Sequence, residues 1–445
     1  MKKLTFKGGV HPEYHKEISL REPFRSAPLP KIAVIPLSQH IGAPNKAIVN
    51  KGDYVEEGQI VGESDSFVSA PVHSSVSGKV LDVKTAFHPA LGPLLSVFVE
   101  RDENKPSKEY AFTARNIEEI SSRELVSEIR TAGIVGMGGA AFPTHVKLNV
   151  PDGKKIKTLI VNGAECEPYL TCDHTLMLRK TKEIFEGLKI VDRILHPKKI
   201  YIAIEDNKKP AFFAFQKIIT GETGGISARI KTVLLKTKYP QGGEKQLIKA
   251  ITGREVPPAA LPLDIGVLVQ NVGTLSAVYD AVYRDKPLIE RIVTFSGDCL
   301  SAPGNYLVRV GTTVKEMLES GVVSLKRDPK KIIVGGPMMG IAEIGMDFPI
   351  LKNTSGILFL SEKTAGSCEE DVCIRCAKCA DVCPVNLVPT EIMKNVKKGY
   401  WDKAEELYVT DCMECGACAY ICPARIPLVQ YMKEGKLAVL KKKNQ

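Results

Sequence analysis

Eight of the twelve cysteines lie in two identical arrays near the end of the chain. The arrays are Cys373-x2-Cys376-x2-Cys379-x3-Cys383 and Cys412-x2-Cys415-x2-Cys418-x3-Cys422, each followed by a proline. Every cysteine recurs 39 positions later, which indicates an internal duplication. This spacing is typical of bacterial 4Fe–4S sites, in which three close thiolates and one distant thiolate hold each cluster. The arrays therefore predict two clusters and one-electron chemistry.

The fourth cysteine of each array is expected to bind the cluster of the other array. One cluster would take Cys373, Cys376, Cys379 and Cys422, and the other would take Cys412, Cys415, Cys418 and Cys383. Structural zinc sites usually use two separated pairs of cysteines, and a reducing cytosol disfavours disulfides, so both alternatives are weaker.

The other four cysteines are not expected to be ligands. Cys368 would complete a plant-type 2Fe–2S spacing with Cys373 and Cys376, but the second array has no counterpart to it. Cys166, Cys172 and Cys299 are scattered, and a buried free thiol is the usual state of such residues.

The linker between the arrays, residues 384–411, has helical rather than strand spacing. Ile392, Met393 and Val396 fall on one side of a helix that Gly399 can close. The segment resembles the α-helical ferredoxin domain, which is often fused to larger redox proteins.

A glycine-rich segment, GMGGAAFPTHVK at residues 136–147, is the second candidate site. A helical pattern, not a strand, precedes it at residues 122–132, so an ordinary dinucleotide-binding turn is not expected. By glycine spacing alone, a structural turn and a phosphate cradle both remain open. Lys147 could supply a cation and Phe142 a stacking face.

Three apolar strands are predicted near this segment, and each ends in carboxylate or amide side chains. Because α/β proteins bind ligands at the carboxyl ends of parallel strands, these ends predict a site on one rim of a sheet. The strands are 158–161, 199–204 and 265–269, and the polar groups that follow them are Asn162, Glu165, Glu167, Glu205 and Asn271.

Four motifs in residues 120–276 resemble the NADH-oxidising subunit of respiratory complex I. They are GMGGAAFPTHVK, NGAECEP, YPQGGEKQL and QNVGTL, which resemble GRGGAGFPTG-x-K, NADE-x-EP, YICGEETAL and NNVETL of that subunit. The resemblance implies FMN at Gly136, Gly138, Gly139, Lys147, Asn162, Glu165, Glu205 and Asn271, and the nicotinamide nucleotide, NAD(H), at Phe142 and Glu167. The chain departs from those motifs at Met137, Ala164 and Gly243.

Two further modules flank this region. Residues 48–83 have the glycine-punctuated short strands of a lipoyl or biotinyl barrel-sandwich domain, but the tip at residues 64–69 has no lysine to acylate. A structural or docking role is therefore expected. Residues 292–360 resemble a β-grasp soluble-ligand-binding domain, with a helix expected at 313–320.

The whole chain resembles the RnfC family, which is one component of the Rnf electron transport complex, a membrane ferredoxin:NAD oxidoreductase coupled to an ion gradient. FKGGVHPEYHK, IPLSQHIGAP and VNKGDYVEEGQIVGE carry this resemblance, and the duplicated cysteine array favours it over complex I, whose counterpart has one C-terminal cluster. It implies a multidomain α/β protein that partners the other subunits of the complex, reacts with NAD(H) and is linked indirectly to ferredoxin. The expected units are residues 1–115 with the barrel-sandwich module, an FMN/NAD(H)-binding α/β domain at 116–290, a β-grasp domain at 291–362 and an α-helical ferredoxin domain at 363–445.

Composition agrees with a globular redox protein. Apolar residues make up 44% and charged residues 25% of 445 residues, which excludes a disordered chain or a collagen. No window of 18 apolar residues occurs and the N-terminus lacks an apolar signal region, so a peripheral position on the cytoplasmic face of the membrane is expected. The net charge of +10 suits an acidic partner or lipid head groups, and motifs for nucleic-acid binding are missing.

Two rival functions remain. A cobalamin reductase of propanediol metabolism resembles this family in carrying FMN and two clusters. A non-catalytic electron relay would keep the clusters but would use the glycine loop only as a turn.

Overall fold

The computed structural model describes residues 3–222, 225–366 and 369–443. The described chain begins with an extended segment that contains one short helix and one short strand before the barrel-sandwich module starts. These elements are α1 (Glu17–Leu20) and β1 (Arg25–Ser26).

The barrel-sandwich module consists of two small sheets around an apolar core. Val55, Val61, Val80 and Val97 are fully buried in it, because alternate residues of its strands point inward. The sheet orders are β2-β8-β7-β4 and β3-β5-β6. The strands are β2 (Ile32–Pro36), β3 (Lys46–Ala47), β4 (Tyr54–Val55), β5 (Ile60–Glu63), β6 (Val72–His73), β7 (Gly78–His88) and β8 (Gly92–Arg101).

The second unit is a parallel sheet covered by helices. Its strands run in the order β11-β10-β9-β12, and all three pairings are parallel. Ser121 and Glu124 form a capping box at the start of α2, which fits the predicted helix. The strands are β9 (Thr158–Gly163), β10 (Lys199–Glu205), β11 (Ile230–Leu235) and β12 (Val267–Asn271). The helices are α2 (Ser122–Thr131), α3 (Thr144–Leu148), α4 (Cys172–Arg179), α5 (Thr181–Leu195), α6 (Lys209–Gly221), α7 (Glu244–Thr252) and α8 (Val272–Arg284).

The third unit is a mixed sheet with one helix packed on it. Its order is β1-β14-β13-β17-β15-β16, so the short N-terminal strand β1 joins its edge. Thr313 caps the expected helix, which spans six residues. The elements are β13 (Glu290–Ser296), β14 (Gly304–Arg309), α9 (Val314–Glu319), β15 (Lys331–Val334), β16 (Ile341–Glu343), β17 (Gly356–Leu360) and α10 (Glu362–Ala365).

The last unit is helical, as its apolar spacing predicts. Ile392, Met393 and Val396 are buried against the C-terminal helix, together with the neighbouring cysteines. The helices are α11 (Lys378–Asp381), α12 (Pro389–Val396), α13 (Trp401–Glu406), α14 (Ala417–Tyr420) and α15 (Leu428–Lys443). Among the described residues, no helix is both long enough and apolar enough to cross a membrane.

Candidate functional site

Polar side chains converge where β9, β10 and β12 end. Asn162 donates from Nδ2 to the Gly242 carbonyl at 3.0 Å, and its Oδ1 accepts the Ala164 amide at 3.0 Å. The Glu165 amide donates to Glu205 Oε2 at 3.1 Å, which joins the ends of β9 and β10. The predicted rim is therefore the edge of the sheet where the carboxyl ends of three neighbouring strands meet, as expected for parallel strands.

The glycine loop lies over this rim. Gly136 donates to the Phe142 carbonyl at 2.9 Å, and Met137 donates to Thr274 Oγ1 at the start of α8 at 3.0 Å. A Cβ added to Gly138 would lie 3.0 Å from the side-chain amide of Asn271, whereas one added to Gly139 would meet open space. The loop thus approaches Asn271 closely and leaves room beside Gly139.

Asn271 is fixed by the elements on both sides of it. Its Oδ1 caps α8 by accepting the amides of Gly273 and Thr274, and its Nδ2 donates to Asp173 Oδ2 at 2.8 Å. Burial, together with the neighbouring Glu165 charge, raises the pKa of the Asp173 carboxyl to about 6. Asp173 was missed in the sequence because it stands inside a helix, with no motif around it.

Buried charges stabilise the carboxylates of the rim. Lys208 pairs with Glu205, and both side chains are almost completely buried. The Glu165 carboxylate accepts the amides of Asp173 and His174 at 2.9 and 3.3 Å. Burial opposes its ionisation, but Lys16 and Lys208 lower the pKa of Glu165.

Lys16 is the second residue at the rim that the sequence did not indicate. Its ammonium group donates to the carbonyls of Glu165, Glu167 and Leu170 at 2.7, 2.8 and 2.6 Å. These carbonyls lie about 150 positions away in the chain, so local spacing carries no signal for the contact.

The remaining predicted residues lie around the outside of the rim. Lys147 pairs with Glu244 at 2.8 Å, and Phe142 is 36% exposed. Glu167 accepts the amides of Met338 and Met339, in the third unit, at 3.1 and 2.9 Å. Burial raises the pKa of the Glu167 carboxyl to about 7.

The rim has unused hydrogen-bonding capacity that suits a polar cofactor. Glu205 Oε1 and Gln270 Nε2 are buried and have no hydrogen-bond partner among the described residues. Buried polar atoms usually have partners, so these two fit a ligand with its own donors and acceptors. A phosphorylated flavin is such a ligand, and glycine amides and Lys147 are groups that bind phosphate.

The cysteines come together in two sets that exchange their fourth members. Cys373, Cys376, Cys379 and Cys422 line one cavity, whose other walls include Ile374 and Leu428. This arrangement of four thiols around a shared space fits a 4Fe–4S cluster.

The second set consists of Cys412, Cys415, Cys418 and Cys383. Burial, together with repulsion from neighbouring Cys412 and Cys383 thiolates, raises the pKa of Cys415 to about 12. Iron cations would relieve that repulsion, since metal ligation deprotonates thiols. The Leu387 amide donates to Cys383 Sγ at 3.3 Å, and the Glu414 amide to Cys412 Sγ at 3.4 Å.

Of the remaining cysteines, Cys166, Cys172 and Cys299 are free and buried, as expected. Cys368 lies outside the described residues.

The second cysteine set packs directly against the unit that carries the rim. Tyr239 donates from its hydroxyl to the Cys415 carbonyl at 2.7 Å. The two residues share an apolar cluster with Cys166 and Val10, and Met413 and Met338 pack against it. The second set is thus adjacent to the rim unit.

Three domain families match the chain. The RnfC barrel sandwich hybrid domain matches residues 4–104, the Nuo51 FMN-binding domain matches 129–280, and the 4Fe-4S dicluster domain matches 372–426. The predicted barrel-sandwich, FMN and 4Fe–4S modules are therefore confirmed at the level of domain families, together with FMN and 4Fe–4S clusters as cofactors.

A solved structure shares the fold at low sequence identity. The H2-reduced NAD+-reducing [NiFe]-hydrogenase superposes with a TM-score of 0.51 at 17% identity, over 73% of this chain and 64% of that one.

Two relatives are similar over most of their length. The C component of the proton-translocating ferredoxin:NAD(+) oxidoreductase complex of Clostridium ljungdahlii is 45% identical over 404 residues, which are 91% of this chain and 87% of that protein. The counterpart from the Na(+)-translocating complex of Acetobacterium woodii is 43% identical, over 90% of this chain and 89% of that protein. With such identity across nearly the full length, this chain belongs to the RnfC family of ferredoxin:NAD(+) oxidoreductase complexes.

Proposed function

We propose that this chain is the peripheral redox subunit of an Rnf-type ferredoxin:NAD oxidoreductase. It exchanges hydride between NAD(H) and FMN and passes electrons singly through two 4Fe–4S clusters. The observation that carries this proposal is the packing of Tyr239 against Cys415, because it joins the rim to one cysteine set. FMN supplies the conversion between two-electron and one-electron transfer that links nicotinamide to iron–sulfur chemistry.

The residues proposed to hold FMN are those of the loop and the rim. Glycine amides at 138 and 139 and the Lys147 ammonium would face its phosphate, since such groups bind anions. Gly136 would shape the loop, because its own amide donates to the Phe142 carbonyl. Asn162, Glu165, Glu205 and Asn271 would bind and orient its polar edges. The unpaired Glu205 Oε1 supports this assignment.

Phe142 and Glu167 are proposed to face the nicotinamide nucleotide. The partly exposed Phe142 ring offers a stacking surface at the mouth of the rim. Glu167 is held by the amides of Met338 and Met339, so the third unit contributes to its orientation.

The two cysteine sets are proposed to hold two clusters that transfer electrons in a fixed order. The cluster of Cys412, Cys415, Cys418 and Cys383 would be proximal to the flavin. The cluster of Cys373, Cys376, Cys379 and Cys422 would be distal, and the exposure of Cys376 supports a site where electrons enter or leave the protein.

The further organisation is proposed along the same lines. The units are residues 1–115, 116–290, 291–362 and 363–445, and the third is a β-grasp domain, for which the central order β14-β13-β17-β15 with one helix is support. The partners are the other subunits of the membrane complex, which perform ion translocation, and ferredoxin is reached through them. The chain would lie on the cytoplasmic face of the membrane.

Anaerobic purification followed by NADH addition tests the proposal. We expect about one FMN and about eight irons per chain, with bleaching of flavin and cluster absorbance after NADH. Eight irons without flavin, in a protein that cannot take up added FMN, would contradict the proposal and leave an electron relay.

The cobalamin reductase alternative is disfavoured, because the similarity to the RnfC relatives extends over about nine-tenths of the chain. Failure of the purified protein to reduce cob(II)alamin with NADH is the expected result.

A further inference from the structure

The N-terminal segment of residues 3–19, here called the strap, lies along the parallel sheet of the second unit. Leu4 pairs with Leu235 at the edge strand β11, donating to Leu234 and accepting from Lys236, both at 2.9 Å. Farther along, Val10 and Tyr239 exchange two backbone hydrogen bonds at 2.8 and 2.9 Å. Tyr239 is the residue that donates to Cys415, so the strap supports the contact between the rim unit and the second cysteine set.

The same strap also touches that cysteine set directly. The Gly9 amide donates to the Val382 carbonyl at 2.8 Å, next to the ligand candidate Cys383. A Cβ added to Gly8 would lie 2.9 Å from the Cys383 carbonyl oxygen, and one added to Gly9 would lie 2.5 Å from the Tyr239 carbonyl oxygen. Both glycines have φ near +80°, a conformation that side chains disfavour.

The far end of the strap binds residues 165–170, here called the rim loop, which follow β9. Lys16 is buried and donates to three carbonyls of residues 165–170, the segment that carries Glu165 and Glu167. Ser19 continues this contact by bonding Thr171 Oγ1 at 2.8 Å. One continuous stretch of 17 residues therefore binds the sheet edge, a cysteine-bearing turn and the rim loop.

We propose that the strap is a positioning element that sets the separation between the flavin rim and the proximal cluster. Gly8 and Gly9 are its critical residues, because they allow the backbones of Cys383 and Tyr239 to approach it from two units. The inference rests on the proposed function, since it concerns the same electron path.

Gly9→Ala is the test variant, and Gly92→Ala is its matched control. Gly92 has φ of +73°, close to the +78° of Gly9, but an added Cβ there would meet nothing within 4 Å. Both variants thus carry a similar backbone strain, and only Gly9→Ala adds a clash, which pushes the strap away from the Tyr239 carbonyl.

Three quantities are measured on the FMN- and iron-loaded full chain. They are the rate of flavin reduction by NADH, the rate of the subsequent cluster bleaching, and hydrogen exchange in residues 379–387. In Gly9→Ala we expect an unchanged rate of flavin reduction, faster hydrogen exchange, and cluster bleaching slowed severalfold, because electron-transfer rates fall steeply as the distance between two redox groups grows. Gly92→Ala should match the wild type in all three.

Unchanged cluster bleaching in Gly9→Ala would overturn the inference, whether or not its exchange changes. Absence of flavin reduction in the wild type would instead contradict the proposed function, so the two failures are distinguishable. If Gly9→Ala loses FMN or iron, Lys238→Met replaces it, because Lys238 Nζ anchors the strap by donating to the Phe6 carbonyl at 2.9 Å. Lys238→Met should also slow cluster bleaching, and an unchanged bleaching rate would again overturn the inference.

Discussion

At the scale of single residues, three buried lysines organise the molecule. Lys208 pairs with Glu205, Lys16 binds three carbonyls of the rim loop, and Lys352 donates to the carbonyls of Pro71 and Gly133 at 2.7 and 2.8 Å. Lysine is almost never fully buried unless its charge and donors are satisfied. These side chains therefore act as fixed hydrogen-bond donors between distant segments.

Replacing Lys16 by methionine should destabilise the protein and weaken FMN retention. The substitution keeps an apolar stem but removes the donor to the carbonyls of Glu167 and Leu170, at a cost of about 1–3 kcal/mol for each unsatisfied group. The Glu165 carbonyl keeps a second donor, Lys208 Nζ, at 3.3 Å. We expect a lower melting temperature and less FMN after gel filtration. The exposed Lys51→Met is the control and should behave as wild type; the prediction is wrong if the two variants are indistinguishable.

The contribution of Lys352 to stability should depend on pH. Burial lowers its pKa from 10.5 to about 7, so the folded protein binds this proton less tightly than the unfolded chain does. Stability from this group is therefore lowest below pH 7 and rises as the pH increases toward 10. The melting-temperature difference between wild type and Lys352→Met should shift in favour of the wild type between about pH 7 and pH 9. A difference that stays constant would contradict the assignment.

At the scale of elements, the glycine loop is supported by the third unit. Asn353 donates from Nδ2 to the Gly139 carbonyl at 3.1 Å, and Lys352 binds Gly133, just before the loop. The barrel-sandwich module adds a further contact, since His145 Nε2 lies 3.2 Å from the Phe67 carbonyl. Phe67 lies in the hairpin tip where a lipoyl-type domain would carry its lysine, and here this tip contacts α3.

Asn353→Ala should weaken FMN binding without changing the iron content. Loss of one net hydrogen bond, about 0.5–1.5 kcal/mol, corresponds to roughly a two- to tenfold higher Kd if the loop conformation limits binding. Fluorescence titration of the flavin-free protein with FMN measures this Kd. Asn50→Ala, at an exposed position in the barrel-sandwich module, is the control. Equal affinities for the two variants would show that the third unit does not support the loop.

Features with a local signal were predictable at this scale, and long-range contacts were not. The apolar run at Thr158 predicted β9, although pairing with β10 extends the strand to Gly163. The duplicated array predicted which cysteines would come together, because its spacing is itself the signal. Gly8, Gly9 and Lys16 have no periodicity, and their partners lie about 150 to 370 positions away. The pairing of β1 with β14 was missed for the same reason.

At the scale of the whole molecule, packed contacts connect the rim to a cysteine set in which Cys376 is exposed. The rim meets the second set through Tyr239, and α11 contacts α14, which connects the two sets. Exposed Arg375, Lys378 and Arg425 lie beside the distal set, and so do the exposed acidic residues Glu369, Glu370, Asp371 and Asp381, so this end of the molecule carries charges of both signs.

Stopped-flow reduction by NADH of Cys422→Ser and Cys383→Ser, each with its iron content determined, tests whether electrons pass from the flavin to the proximal cluster and then to the distal one. We expect Cys422→Ser to lose the distal cluster but still to show rapid bleaching of the proximal one. Cys383→Ser should lose the proximal cluster, keep flavin reduction and show slow bleaching of the distal cluster. Cys376→Ser should behave like Cys422→Ser, and Cys415→Ser should behave like Cys383→Ser. The reverse pattern, with rapid cluster reduction only in Cys383→Ser, would contradict the order of the path.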